Sequence, residues 1–137
     1  MQQSDPVREA MLRFYDRLSA SDIASFDDVV APDAVLIIGS APGEWVTERD
    51  RMRFGFETEG VRLETGGGPV AYEEGSMGWL ADEPTFHFPD GSAMKTRLTA
   101  VLRQEDGNWA LVHMHVSVGV PDEEVQELQR RWGTAPG

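Results

Sequence analysis

The chain has 137 residues, which fills one ordinary domain and falls short of two. Hydrophobic residues make up 40% and charged residues 26%, a balance that supports a packed core and excludes a disordered chain. With 12 Lys+Arg against 24 Asp+Glu the formal charge is −12, which argues against nucleic acid or an anionic membrane as partner. Cysteine is absent, so disulfides, thiolate nucleophiles and cysteine zinc sites are excluded. The opening Met-Gln-Gln-Ser-Asp-Pro has no basic region and no apolar stretch behind it, so no signal peptide is expected and the expected location is cytoplasmic. The uncharged run from Trp109 to Val120 alternates and carries two histidines, which marks a strand and not a span of ~20 apolar residues.

In chain order, Asp5-Pro6 reads as an N-cap with proline at the first helical position. Val7, Met11, Phe14 and Leu18 then form one apolar stripe on a helix. Ile23, Phe26 and Val30 mark a second, short helix, broken by Ala31-Pro32-Asp33. Val35 to Ile38 is β-branched-rich and reads as a strand buried on both faces, ending at Gly39-Ser40. Ala41-Pro42-Gly43 is a loop. Thr47 with Asp50 resembles a capping box that opens a third helix to about Glu57, with Met52 and Phe56 on its apolar side. Glu64 to Gly68 is a turn or loop centred on Gly66-Gly67-Gly68; it lacks the Lys-Ser/Thr and the strand-to-helix setting of a phosphate loop.

From Val70 the pattern is β. Val70 to Leu80 holds one strand or two, and Thr85 to Phe88 another, closed by Pro89-Asp90-Gly91. Lys95 to Arg103 is a strand, Glu105-Asp106-Gly107-Asn108 a hairpin connection, and Trp109 to Val118 the clearest strand of all. Pro121-Asp122-Glu123-Glu124 opens a last helix at about 122–132, with Val125, Leu128 and Trp132 on one side, acids in its first turn and Arg130 and Arg131 in its last. The tail from Gly133 is expected to fray. Helices first and successive strands after predict one α+β domain over 1–137.

The last hairpin has two unlike faces. Strict alternation puts Trp109, Leu111, His113, His115 and Ser117 on one side and Ala110, Val112, Met114, Val116 and Val118 on the other. On the strand before it, Leu98, Ala100 and Leu102 oppose Arg97, Thr99, Val101 and Arg103. Pairing like with like makes one apolar wall and one polar cluster of Arg97, Thr99, His113, His115 and Ser117.

The segment RLTAVLRQEDGNWALVHMHVS resembles the SnoaL-like branch of the nuclear-transport-factor-2-like superfamily, through its Arg-x-Thr strand, Asp-Gly turn and Trp-x-x-x-His-x-His-x-Ser strand. The association domain of calcium/calmodulin-dependent kinase shares the last of these. The helical N-terminus ending in APDAVLIIG is similar too, so the likeness runs from Val7 to about Pro121. The resemblance implies a cone-shaped α+β barrel, a bent antiparallel sheet wrapped around the first helix, a homodimer formed through the sheet and a pocket at the open end. In the similar kinase domain the pocket residues share the parity of Val116. Carried over, the pocket wall is Leu98, Ala100, Met114 and Val116, and the polar cluster is structural, near the dimer interface.

Ketosteroid isomerase, in the same superfamily, needs a general base, a Tyr and a protonated Asp. Tyr15 stands where the resemblance places the catalytic tyrosine. The base position falls at Ile38, which takes no proton, and no acid occurs in Thr96–Gln104 or Trp109–Val120. That chemistry is therefore not expected, the hollow should lack proton-handling acids, and Tyr15 reads as a buried, hydrogen-bonded tyrosine. His113 and His115 point the same way and His87 supplies a third imidazole, but no acidic ligand accompanies them, so no metal and no cofactor are expected. A Ser117/His115 nucleophile pair lacks an orienting acid and a nucleophile elbow. His87, Glu44 and Glu57 are acid–base candidates that also suit a surface or rim. Trp45, Trp79, Phe56 and Met114 suit a cavity lining or plain core.

The reading is a homodimeric SnoaL-like protein that binds a small hydrophobic molecule, of an aromatic or polyketide-like kind, in an apolar pocket lined by Tyr15, Trp45, Phe56, Trp79, His87, Leu98, Ala100, Met114 and Val116. The alternatives are an isomerase, dehydratase or cyclase using a pocket His or carboxylate with Tyr15, and a dimeric protein-interaction module.

Overall fold

The computed structural model describes residues 1–37, 43–45, 47–51 and 60–133, without the side chains of Ile23 and Ser25. Ile38 to Pro42, most of the expected third helix with Met52, Phe56 and Glu57, and the tail after Gly133 lie outside the described residues; of that helix, residues 49–51 are helical.

A short strand β1 (Gln2–Gln3) precedes helix α1 (Asp5–Ser19). The cap of α1 is Ser4, not Asp5: its hydroxyl accepts from Val7 N at 3.1 Å, and Asp5 and Pro6 occupy the first turn. Val7, Met11 and Phe14 of the expected stripe are buried, joined by Ala10 and Tyr15. Helix α2 (Ile23–Val29) gives way at Val30 to strand β2 (Val30–Ile37), which carries Pro32. Proline is tolerated there because β2 is an edge strand, where a missing N–H breaks no ladder bond. Val35 is 46% exposed, so β2 is buried on one face and not on both, as an edge position dictates.

Strands β3 (Arg62–Glu64), β4 (Val70–Glu74), β5 (Met77–Asp82), β6 (Thr85–His87), β7 (Ala93–Lys95), β8 (Arg97–Glu105) and β9 (Asn108–Ser117) follow, then helix α3 (Asp122–Trp132). Among the described residues β1-β4-β5-β8-β9-β2 form one sheet and β3-β6-β7 another. All neighbours are antiparallel except β2 beside β9, which is parallel. The two sheets meet at a bend where β5 passes to β6 at Pro84 and β7 to β8 at Thr96. Buried Thr96 fixes the bend by donating both its N–H and its hydroxyl to the Pro84 carbonyl, each at 2.9 Å. The segment expected as one strand from Lys95 to Arg103 is thus two. The β8–β9 hairpin closes through Asp106 (φ 51°) and Gly107 (φ 81°), the left-handed pair that a two-residue turn needs.

The concave side of the sheet packs on α1. Leu80, Leu98, Ala100, Leu102, Leu111, Met114 and Val116 join Val7, Met11, Phe14 and Tyr15 in one core. Strict alternation along β9 fails at one point. Val101 pairs with His113 but Leu102 pairs with Leu111, so Val112 is an extra, unpaired residue. This bulge reverses the parity before it, turning Leu111 into the core beside Met114 instead of out beside His113. Helix α3 ends at Gly133 in the left-handed conformation and buries none of its residues. No helix among the described residues is long and apolar enough to cross a membrane.

Candidate functional site

The bend brings a carboxylate into the core. Asp82 follows Gly78 and Leu80 on the inward parity of β5 and is 8% exposed. Its Oδ2 accepts from the Tyr15 hydroxyl at 3.1 Å and from Thr65 Oγ1 at 2.9 Å. Its Oδ1 accepts from the backbone N–H of Gly66 at 3.0 Å and of Glu83 at 2.8 Å. An ionised carboxylate has about four acceptor positions, so Asp82 is saturated and has none left for a substrate proton. Burial, and then the Asp82 charge and hydrogen bond, push the Tyr15 phenol well above its ordinary pKa, which keeps it a neutral donor. The expectation of a hollow without acids is therefore corrected. The missed residue is Asp82, and what it does is tie the 65–68 loop and the bend to α1. The loop comes so close that a Cβ on Gly66 would stand 2.8 Å from Asp82 Oδ1 and 2.9 Å from the Glu83 carbonyl oxygen.

On the opposite, outer face of the sheet lies a groove of about 770 Å³. The strand register explains its shape. Val70 pairs with Ala81, Ala81 with Thr99, and Thr99 with His115, so four side chains form a row across β4, β5, β8 and β9. Arg97 and Ser117 pair directly beside that row, and the 66–68 backbone, Asp82, Glu83 and Leu98 complete the lining. One end of the groove is apolar, through Val70 and Ala81, and the other is polar. Among the described residues the Arg97, Thr99 and Ser117 side chains have no hydrogen-bond or ion-pair partner. Arg8, Arg49, Arg62, Arg103 and Arg130 are paired with acids, whereas Arg13 and Arg131, away from the groove, share with Arg97 the lack of a partner among the described residues. Beyond His115 stands Trp45, 72% exposed, with its ring edge-on to the imidazole at 6.4 Å between centroids.

The residues singled out from sequence thus fall into separate places. Leu98, Ala100, Met114 and Val116 lie in the core at 1–2% exposure. Tyr15 lies there too, bonded to Asp82. Trp79 has the other parity of β5 from Leu80 and stacks on Tyr72 on the outer face, 6.3 Å between centroids. Phe86 packs on the core, so alternation turns His87 to the other side of β6. There its Nε2 is 3.6 Å from Glu64 Oε1, buried and without a hydrogen bond, and it does not meet Tyr15. Glu44 is exposed. His113 Nδ1 donates to the Val35 carbonyl at 2.7 Å, which holds β2 against β9. Arg97, Thr99, His115 and Ser117, expected as a structural cluster, line the groove. Among the described residues no group of three or more His, Asp or Glu side chains is placed to hold a metal. Alternation alone flags Asp82, which continues the parity of Leu80; the groove needed the register of four strands at once.

This bent α+β sheet around an N-terminal helix is a nuclear-transport-factor-2-like, cystatin-like fold. Within that class the chain belongs to the SnoaL-like domain family, whose model matches residues 7–121. Helix α3 falls beyond the match. Among solved structures it is similar to an uncharacterised Caulobacter vibrioides protein with a cystatin-like fold, at 15% identity over 93% of this chain and 96% of that one, TM-score 0.66. It is also similar to a protein of unknown function from Pseudomonas putida KT2440, at 16% identity over 85% and 87%, TM-score 0.70. The CaMKII hub of S. rosetta matches at 16% identity over 85% and 96%, TM-score 0.70. No curated protein matches the chain.

Proposed function

We propose that this SnoaL-like protein binds a small, largely apolar molecule, that it acts as a homodimer, and that its ligand lies in the outer groove. The observation that carries the reading is the groove itself: about 770 Å³, in the range of small-molecule sites, with apolar side chains at one end and polar side chains that have no partner among the described residues converging at the other. The apolar residues first expected to line a pocket are occupied in packing against α1. Binding without turnover is favoured because Asp82 is saturated, Tyr15 is held neutral and His87 faces elsewhere.

The dimer reading draws on the same face. Val70 (49% exposed), Met77 (37%) and the stacked Tyr72 and Trp79 put apolar surface beside the groove. A second copy seated there would wall the groove's open side. Similarity to a hub domain agrees with association through this fold.

The test uses Ala81→Trp, which fills the groove from an exposed position on β5. Titration of the wild-type chain with a naphthalene-based fluorescent probe should show saturable binding, and the variant should lose it while its melting temperature stays unchanged. Equal binding by both proteins would reject the groove as the site. Sedimentation equilibrium should give a dimer mass; a monomer at all concentrations would reject the dimer.

A further inference from the structure

We infer that the ligand of the outer groove is a small monocarboxylate with an apolar body, an inference that rests on the small-molecule reading above. Among the described residues Arg97, at the polar end, has no acid to neutralise it, in a chain whose acids outnumber its bases two to one. A guanidinium presents a planar fork of donors that matches a carboxylate, which makes it a recognition element for that group. Ser117 directly opposite and Thr99 two residues along β8 add hydroxyl donors within the same square of side chains. The rest of the ligand would run along the row toward the apolar side chains of Ala81 and Val70.

The charge of the site selects a monoanion. Among the described residues Arg97 is the one cation lining the groove, while Asp82 and Glu83 also line it and the chain carries a formal −12. A dianionic phosphate would meet the same single Arg and a larger repulsion from these carboxylates. A neutral molecule could accept a hydrogen bond from Arg97 but would leave its charge uncompensated.

The experiment measures, by isothermal titration, three probes that share a ring system: 2-naphthoate, 2-naphthamide and 2-naphthyl phosphate. Each is tested on the wild-type chain and on Arg97→Gln, with circular dichroism to show that the exposed substitution leaves the fold intact. A charge-assisted hydrogen bond predicts that wild type binds naphthoate about tenfold or more tighter than naphthamide. Arg97→Gln should erase that preference and leave naphthamide affinity unchanged, and Arg97→Lys should restore part of it. Equal binding of acid and amide by wild type would overturn the carboxylate inference and leave the small-molecule reading standing. Preference for the phosphate would overturn the monoanion. Failure of all three probes to bind would overturn the small-molecule reading together with this inference.

Discussion

Replacing Tyr15 with Phe isolates the bond that ties α1 to the bend of the sheet. The ring keeps its place, so no cavity forms, and the change is confined to one hydroxyl donating to Asp82 at 3.1 Å between two buried residues. A hydrogen bond to a charged acceptor contributes about 1.5–3 kcal/mol, and Asp82 retains three other donors. We therefore expect a loss of about 2 kcal/mol, which for a chain of this size is a fall in Tm of roughly 6–10 °C. Urea denaturation followed by circular dichroism measures it, with an unchanged slope as the sign that the unfolded state is the same. The pH dependence gives an independent check. The phenol pKa is raised above 10.0 in the folded chain, first by burial and then by the Asp82 charge. Above that pH the unfolded chain releases a proton that the folded chain keeps, so stability is intact below pH 10 and falls as pH rises, by about 1.4 kcal/mol per unit. Tyr15→Phe should remove that part of the alkaline slope. Identical midpoints at pH 8, and parallel slopes above pH 10, would refute the buried pair.

Three further substitutions probe how the site is held. Gly66→Ala places a Cβ against Asp82 Oδ1 and the Glu83 carbonyl, so the loop must move; thermal denaturation should show a loss of about 1–3 kcal/mol. Thr96→Val keeps the shape but removes the buried hydroxyl bond to Pro84, and a urea midpoint shift equivalent to about 1 kcal/mol is expected. Ser4→Ala removes the cap of α1 and a 2.8 Å bond to Glu73, which ties the helix start to β4; hydrogen exchange should rise first at the N-terminal turn, with about 1 kcal/mol lost overall.

The fold was readable where one period ruled a long segment. The stripe of α1, the Asp106-Gly107 turn and the apolar parity of Leu98 to Leu102 all answer to local rules and stand as read. Reading failed where tertiary context intervened. One extra residue, Val112, reversed the parity of Trp109 to Leu111, and nothing in a single strand's pattern announces a bulge. The bend at Thr96 split one apparent strand in two because its stabilising bonds go to Pro84, twelve residues away. The cap moved from Asp5 to Ser4 because both residues suit the position and the backbone chose. For the candidate site, the polar cluster on the outer face was visible from alternation. Its place in an open groove was not, since that depends on the register of β4 and β5 against β8 and on the position of the Gly66–Gly68 loop.

Amide chemical-shift mapping of the 15N-labelled chain with 2-naphthoate decides which face of the sheet meets the ligand. The outer groove predicts shifts at Gly67, Thr99, His115 and Ser117 that saturate together, with α1 unmoved. Saturating shifts confined to α1 and the core residues Ala100 and Met114, with the groove silent, would contradict it.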